Sequence, residues 1–174
     1  CLSQGAEVEL VLGPCSQPLP HSTLLHVTHV ESASDMYHAA TRLFADCTAG
    51  IMCAAVADFT PDTCAKEKIK REGDQLLLRL TPTQDIAAAV GGMKTSTQKL
   101  CGFALETHNA LVHAQEKLQR KNLDMIVMNS LQDAGAGFQV DTNKVTIITP
   151  DNQESLPLQS KNDIAREIIN RFLS

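Results

Sequence analysis

The residues whose types and spacing could do chemistry gather behind one run of small apolar side chains. In "IMCAAVADFTPDTCAKEKIKR", Ile51 to Arg71, the run ends on a single carboxylate, Asp58, and the next loop delivers Lys66, Lys68, Lys70 and Arg71. An acid in that place can accept hydrogen bonds from ribose hydroxyls or help hold a magnesium ion, and a loop of ammonium groups can close over phosphates. Ala54, Ala55 and Ala57 would let a flat base approach the backbone, whose N–H and C=O groups can read its edge. The same residues suit a plainer role, with alanines packed on a helix, Asp58 capping a turn and a solvated charge run. Spacing alone leaves both open. A second basic group, Lys117, Arg120 and Lys121, spans one turn of a predicted helix. Lys117 and Lys121 share a face at i, i+4, and their repulsion is unfavourable unless an anion or an acid lies between them. A bound phosphate fits that gap.

Other chemistries are narrowed by what the sequence does not contain. There is no G-x-x-x-x-G-K-[ST] phosphate loop, no G-x-S-x-G elbow and no H-E-x-x-H zinc helix. "GAGF", Gly135 to Phe138, is only a fragment of a dinucleotide fingerprint and reads as a loop. His26 and His29 point to opposite faces of a strand, and His108 and His113 are five apart on a helix, so the histidines form no evident metal site. The six cysteines show no C-x-x-C pair and read as reduced, separately buried thiols, with Cys53 and Cys101 inside apolar strand-like runs.

Composition bounds the rest. The 174 residues carry 15 Lys plus Arg against 20 Asp plus Glu, a formal charge of -5, and 3% aromatic residues without Trp. That argues against general nucleic-acid binding, which needs a basic surface or stacking platforms. No apolar run reaches the roughly 18 to 20 residues of a bilayer crossing, and no signal segment opens the chain. The expected protein is soluble and cytoplasmic, with one domain over residues 1–174.

The elements that must position these residues alternate. "CLSQGAEV" reads as the last turn of a helix ending at Gly5, so the chain is expected to start inside an element. Val8–Leu12 and Leu24–Val30 read as strands, and Ser32 opens a helix through a capping-box-like Ser32/Asp35 pair. "GIMCAAVA" is continuously apolar, as a strand covered on both faces of a parallel sheet would be. "QLLLRL" (Gln75 to Leu80) reads as a strand, "TQDIAAAVGGM" as a short helix closing on paired glycines, and "KLCGFAL" as a buried strand. An amphipathic helix with Ala110, Leu111, Ala114 and Leu118 inward, strand "MIVMN", a hairpin in "KVTIITPDNQESLPL" and a final helix opened by Ser160 complete the pattern. The expected fold is α/β, a three-layer Rossmann-like sandwich, mostly parallel with a late antiparallel hairpin. In such sheets ligands collect beyond the carboxyl ends of the strands, where Asp58, Phe103 to Thr107 and Asn129 fall.

Taken together, "GAEVELVLGP", "CAAVADF", "EKIKREGDQLLLRL", "GFALET", "KLQRKNLDMIVMN", "GFQVDTNKVTII" and "LPLQSK" come in an order and at spacings that resemble phosphopantothenoylcysteine synthetase, the ligase half of the bacterial bifunctional coenzyme A biosynthesis protein. The resemblance runs from about Gly5 to Phe172. It implies a two-step ligation of 4′-phosphopantothenate to L-cysteine. CMP is first transferred from CTP to the carboxylate, with magnesium present and pyrophosphate released; the cysteine amine then displaces CMP from the acyl cytidylate.

On matching positions, the resemblance implies that Asp58 and the backbone near Met52, Cys53 and Ala54 hold the cytidine. Phe103, Lys117 and Lys121 contact the nucleotide, and Lys68, first lysine of "KIKR", is the catalytic loop lysine of the acyl-cytidylate stage. It also implies a homodimer, with "QLLLRL" as a contact element, and a decarboxylase domain that can be fused upstream; no FMN is expected here. Against the family pattern, the sequence from Cys1 on is expected to start after an amino-terminal segment that carries the first strand, a glycine-rich turn and an Asn-bearing Ser-Ser-Gly loop. Arg71 also stands where Lys is common, which keeps the charge but changes its geometry. A nucleotide-binding or regulatory module that kept the fold without catalysis, and a reader of ATP instead of CTP, are the competing readings.

Overall fold

The computed structural model describes residues 1–65, 67–71, 73–106, 109–130 and 141–173. A single 3-10 turn, Leu2–Gln4, is closed by Gly5 at φ 82°, a left-handed conformation that suits a residue without Cβ. Strands β1 (Val8–Leu12) and β2 (Leu25–His29) pair in parallel from Val8↔Leu25 to Leu12↔His29. Helix α1 (Ala33–Phe44) begins at a complete capping box. The Asp35 N–H donates to Ser32 Oγ, and the Ser32 N–H donates to the Asp35 carboxylate. These bonds satisfy donors that a helix start would otherwise leave orphaned.

The chain continues through β3 (Ala49–Met52), β4 (Phe59–Pro61), β5 (Leu80–Pro82), α2 (Ile86–Met93), β6 (Lys99–Glu106), α3 (Ala110–Arg120) and β7 (Met125–Ser130). It ends with β8 (Thr142–Asn143), β9 (Val145–Ile148), β10 (Gln153–Ser155), β11 (Gln159–Ser160) and α4 (Lys161–Leu173). The main sheet has the order β10-β9-β7-β6-β3. Its β3–β6 and β6–β7 pairs are parallel, and β9 and β10 supply the expected antiparallel hairpin.

Period-2 alternation sorts the side chains of this sheet onto two cores. Leu100, Ala104, Ile126 and Met128 pack with Phe44 of α1, Ile86 and Val90 of α2, and Ala114 and Leu118 of α3. Cys101, Met125, Val127, Val145 and Ile147 pack with Ile164, Ile168 and Phe172 of α4. Helices therefore cover both faces, and the α/β three-layer architecture is as the alternating pattern implies. The carboxyl ends of β6 and β7 lie side by side, because Glu106 pairs with Ser130, and β3 ends four residues short of them, at Met52 beside Gly102.

Four expectations are corrected. "QLLLRL" is not a strand over Gln75–Leu80. Only Leu80–Pro82 is strand, paired with Phe59–Pro61, and Leu76, Leu77 and Leu78 stand in solvent with Leu77 97% exposed. An apolar run shows a tendency to be covered but does not supply the cover. "GIMCAAVA" forms strand only to Met52, where its pairing with β6 ends; the Val56 N–H then donates to the Ala54 carbonyl at 3.2 Å and turns the chain. The thiols are all free, but they are not separately buried: Cys101 is buried and Cys47 half-buried, whereas Cys1, Cys15, Cys53 and Cys64 are exposed. Cys53 is exposed because it follows the strand instead of lying within it. The paired glycines Gly91 and Gly92 lie inside α2, which runs one residue further to Met93.

Candidate functional site

Met52 ends β3, half-buried against the core under α1 and α2. Its cross-strand partner Gly102 has no room for a side chain, since a Cβ there would sit 2.8 Å from Leu123 Cδ1. Phe103, the next residue, shares its face of the sheet with Cys101 and is 37% exposed where β6 runs on past the end of β3. Cys53 and Ala54 leave the sheet beside it, and Val56 anchors the departing segment by packing back onto the core. The sequence-predicted residues Met52, Cys53, Ala54 and Phe103 are thus brought to one edge by the parallel pairing of β3 with β6.

Asp58 follows at the foot of an antiparallel ribbon. Thr83 N–H donates to the Asp58 carbonyl at 2.9 Å, and Thr83 Oγ1 donates to the Ala57 carbonyl at 2.6 Å. The Asp58 carboxylate is exposed and makes no hydrogen bond or ion pair among the described residues. The ribbon pairs Phe59↔Pro82, Thr60↔Thr81 and Pro61↔Leu80, with the Asp62 N–H donating to the Arg79 carbonyl at 3.0 Å. Hydrogen-bonded pairs alternate along an antiparallel ladder, so 58/83, 60/81 and 62/79 carry the bonds. Pro61 and Pro82 fall between them, where each lacks only an outward-facing N–H, and the ladder loses nothing.

Beyond the ribbon, residues 62–79 carry the lysine loop. Lys68, Lys70 and Arg71 are exposed. Arg71 is tied only to its own neighbourhood, by bonds of 3.5 Å to the Gly73 carbonyl and the Asp74 carboxylate. Among the described residues no hydrogen bond or ion pair joins Lys68 to the edge of the main sheet. Lys66, Thr107 and the Gly135–Phe138 stretch lie outside the described residues.

The second basic group sits where α3 ends. Lys117 and Arg120 lie in its last turn, a placement favoured by the negative end of the helix dipole. Lys121, at the cap, places Nζ 3.0 Å from Asp85 Oδ1. Asp85 is also the N-cap of α2, accepting from the Ala88 N–H at 3.0 Å. Partial burial pushes the Asp85 carboxyl up, but the Ala88 N–H and the Lys121 ammonium outweigh this and hold it below its ordinary 3.8. The acid that the Lys117/Lys121 spacing calls for is therefore supplied in part by the fold itself. Sequence reasoning missed Asp85; its signal was the N-cap pattern "TQDIAAAV", which marks a helix start but not the partner 36 positions on.

Cysteine chemistry finds no support at this edge. Burial pushes the Cys101 thiol up to about 12, and desolvation by its surroundings raises Cys53 as well. Both stay protonated at neutral pH, and a thiol in that state is a weak nucleophile.

The geometry has clear relatives. The family model described as "DNA/pantothenate metabolism flavoprotein C-terminal domain" matches residues 1–174. The chain is 47% identical over 173 residues to a cysteine/cysteine sulfinic acid decarboxylase of an unknown prokaryotic organism, covering 99% of this chain and 48% of that protein. It is 42% identical over 166 residues to the coenzyme A biosynthesis bifunctional protein CoaBC of Bacillus subtilis, covering 95% of this chain and 40% of that protein. The chain thus spans less than half the length of these curated relatives. The crystal structure of the C-terminal domain of a CoaBC protein superposes with a TM-score of 0.78 at 37% identity, over 98% of this chain and 76% of that one. A Streptococcus pneumoniae protein of the same flavoprotein description shares the fold, with a TM-score of 0.79 at 22% identity over 98% of this chain and 82% of that one. The chain belongs to the family of DNA/pantothenate metabolism flavoprotein C-terminal domains, homologous to the C-terminal, phosphopantothenoylcysteine synthetase domain of CoaBC.

Proposed function

We propose that this chain is the ligase portion of an enzyme joining 4′-phosphopantothenate to L-cysteine through an acyl cytidylate made from CTP. The observation that carries the reading is the edge formed by β3 and β6. Beyond the end of β3 an exposed carboxylate with no partner among the described residues, Asp58, stands at the root of a ribbon that ends in the Lys68 loop. Family membership supports the ligase class, and the bacterial-type "CAAVAD" and "KIK" blocks favour CTP over ATP.

In this reading Met52, Cys53 and Ala54 present backbone to the cytosine, Asp58 meets the ribose or a magnesium ion, and Phe103 packs against the nucleotide. Lys117 and Lys121 address its phosphates. Among the described residues no cluster of His, Cys, Asp or Glu could hold a metal alone. A single free carboxylate nevertheless fits magnesium, which keeps its waters and takes the rest of its ligands from substrate phosphates. Bound there, magnesium would offset phosphate charge. No flavin enters the reading.

The substrate carboxylate attacks the α-phosphorus of CTP, and pyrophosphate leaves with the bonding pair. The cysteine amine then attacks the acyl carbon, CMP departs and the amine gives up a proton. Negative charge grows in both steps, and the Lys68 ammonium, on a loop free to approach, can stabilise it. Losing one such contact commonly costs about 3 kcal/mol, or about 10² in rate. Pyrophosphate release from CTP that requires phosphopantothenate, and that continues past one turnover only when cysteine is added, tests the reading, with ATP as the parallel nucleotide. Release with neither nucleotide would overturn it.

A second reading has one observation behind it. The decarboxylase name of the 47% identical relative favours a nucleotide-binding or regulatory module of the same fold. CTP binding without turnover in the native protein is the outcome that selects it. We further propose that the exposed leucines Leu76, Leu77 and Leu78 of the loop, with Leu80 of the ribbon, are a homodimer contact.

A further inference from the structure

Among the described residues, Thr83 is the one that grips the chain on both sides of the Asp58 Cα. Its hydroxyl donates to the Ala57 carbonyl at 2.6 Å and its N–H to the Asp58 carbonyl at 2.9 Å. Those two carbonyls belong to the two peptide planes that meet at the Asp58 Cα. A peptide unit is planar, so a bond to its carbonyl restrains the whole unit. With both units held in this way, φ and ψ of Asp58 are restricted, and with them the direction in which its Cα–Cβ bond leaves the backbone.

Little else is available for this. Ala57 and Asp58 lie beyond the last pair of the main sheet, Met52↔Gly102, and ahead of the first ribbon strand, Phe59–Pro61. The nearest core anchor is Val56. The backbone bond continues the ribbon ladder and any residue but proline could make it. The hydroxyl bond is specific to the side chain at position 83. The same residue is two before Asp85, which caps α2 and pairs with Lys121. The segment Thr83–Asp85 thus holds the backbone of Asp58 at one end and the Lys121 ammonium at the other.

We propose that Thr83 is a positioning residue for nucleotide binding, acting through Asp58 and setting the angle at which the Lys68 ribbon leaves the sheet edge. This rests on the reading of that edge as the CTP site. Thr83→Val keeps the shape and removes the hydroxyl; Thr83→Ser keeps the hydroxyl and removes the methyl. In the native protein, Thr83→Val is expected to raise the KM for CTP about tenfold, the effect of one lost hydrogen bond. The KM for cysteine and the melting temperature should stay near wild type, and Thr83→Ser should return the KM for CTP to within about twofold. In an Asp58→Ala background Thr83→Val should add little, because residues acting as one unit are not additive. If valine lowers the melting temperature, the same measurements on Thr83→Ala replace it.

Wild-type protein that neither binds nor turns over CTP would overturn the functional reading, and this inference with it. Wild type that uses CTP normally beside a Thr83→Val variant with unchanged KM for CTP overturns the inference alone. A rise shared by every substrate together with a lower melting temperature in both Thr83→Val and Thr83→Ala makes Thr83 a structural brace, which also overturns it. So does failure of serine to rescue.

Discussion

The junction of α2 with α3 and the β4–β5 ribbon are both built on helix- or strand-forming sequence next to a candidate site, yet they are held in opposite ways. At the junction Val90 and Ala114 are fully buried. The Asn122 side chain donates to the Gly91 carbonyl at 2.8 Å, and a Cβ on Gly91 would lie 1.8 Å from the Lys121 carbonyl oxygen. Nearby, Lys94 Nζ sits 2.7 Å from Asp124, which also accepts from the Leu100 N–H at 2.6 Å. The ribbon instead rests on three ladder pairs and exposes Phe59, Ile69 and its leucines. The fold thus fixes the proposed nucleotide edge by packing and carries Lys68, the proposed loop lysine, on an exposed element with few tertiary anchors. Binding wants preorganisation, and closure over a reacting substrate wants mobility.

The contrast can be broken most severely from its packed side. Ile126, buried in β7 between the helices and the neighbouring strands, should lose roughly 4 kcal/mol of stability as Ile126→Ala, since a large-to-small change leaves a cavity. Denaturant unfolding reads it directly, and a loss under about 1 kcal/mol would mean the core is not closed there. On the ribbon side the largest effect is on rate. Lys68→Gln should unfold like wild type yet turn over about 10²-fold more slowly, near 3 kcal/mol of barrier, with acyl cytidylate accumulating; unchanged product formation would remove Lys68 from the mechanism.

Gly91→Ala comes next, at about 2 kcal/mol, because an added methyl meets backbone and must push α2 off α3. Its loss should be accompanied by weaker nucleotide binding, as Lys121 moves with the helix end. Asp85 sharpens the same point through pH. Its folded carboxyl lies below 3.8, so its contribution is present above that value and fades as pH falls through the lower, folded one. Asp85→Asn preserves capping while removing the charge, and should flatten the acid limb of the stability profile; a parallel profile would show that the Lys121 pair carries nothing. Smallest of all, Leu77→Ser should change unfolding by less than about 0.5 kcal/mol. It should still shift a dimer toward monomer in sedimentation, and a dimer indifferent to it would displace the proposed contact.

Much of the fold was legible because its signals are local or periodic. Ser32 with Asp35 announced α1, Gly5 closed the opening turn, Ser160 capped α4, with the Asp163 N–H donating to its hydroxyl at 3.1 Å, and the continuous apolar runs marked β6 and β7. "QLLLRL" and "GIMCAAVA" misled because hydrophobicity records what a segment would tolerate, whereas a strand also needs a neighbour in register. Leu76 to Leu78 have none among the described residues, and β6 pairs with β3 only as far as Met52.

For the candidate site, charge and small neighbours single out Asp58, Lys68, Lys117 and Lys121 as candidates, and the family blocks add Phe103. Who holds whom is visible only once the chain is folded. Thr83 grips the peptide planes around Asp58, and Asp85 takes hold of Lys121, through contacts that join positions 26 and 36 apart in the chain. Those pairings depend on where two elements end in space. A hydrogen bond reaches about 3 Å, and residue spacing along a chain does not determine distances on that scale once the chain has turned back on itself.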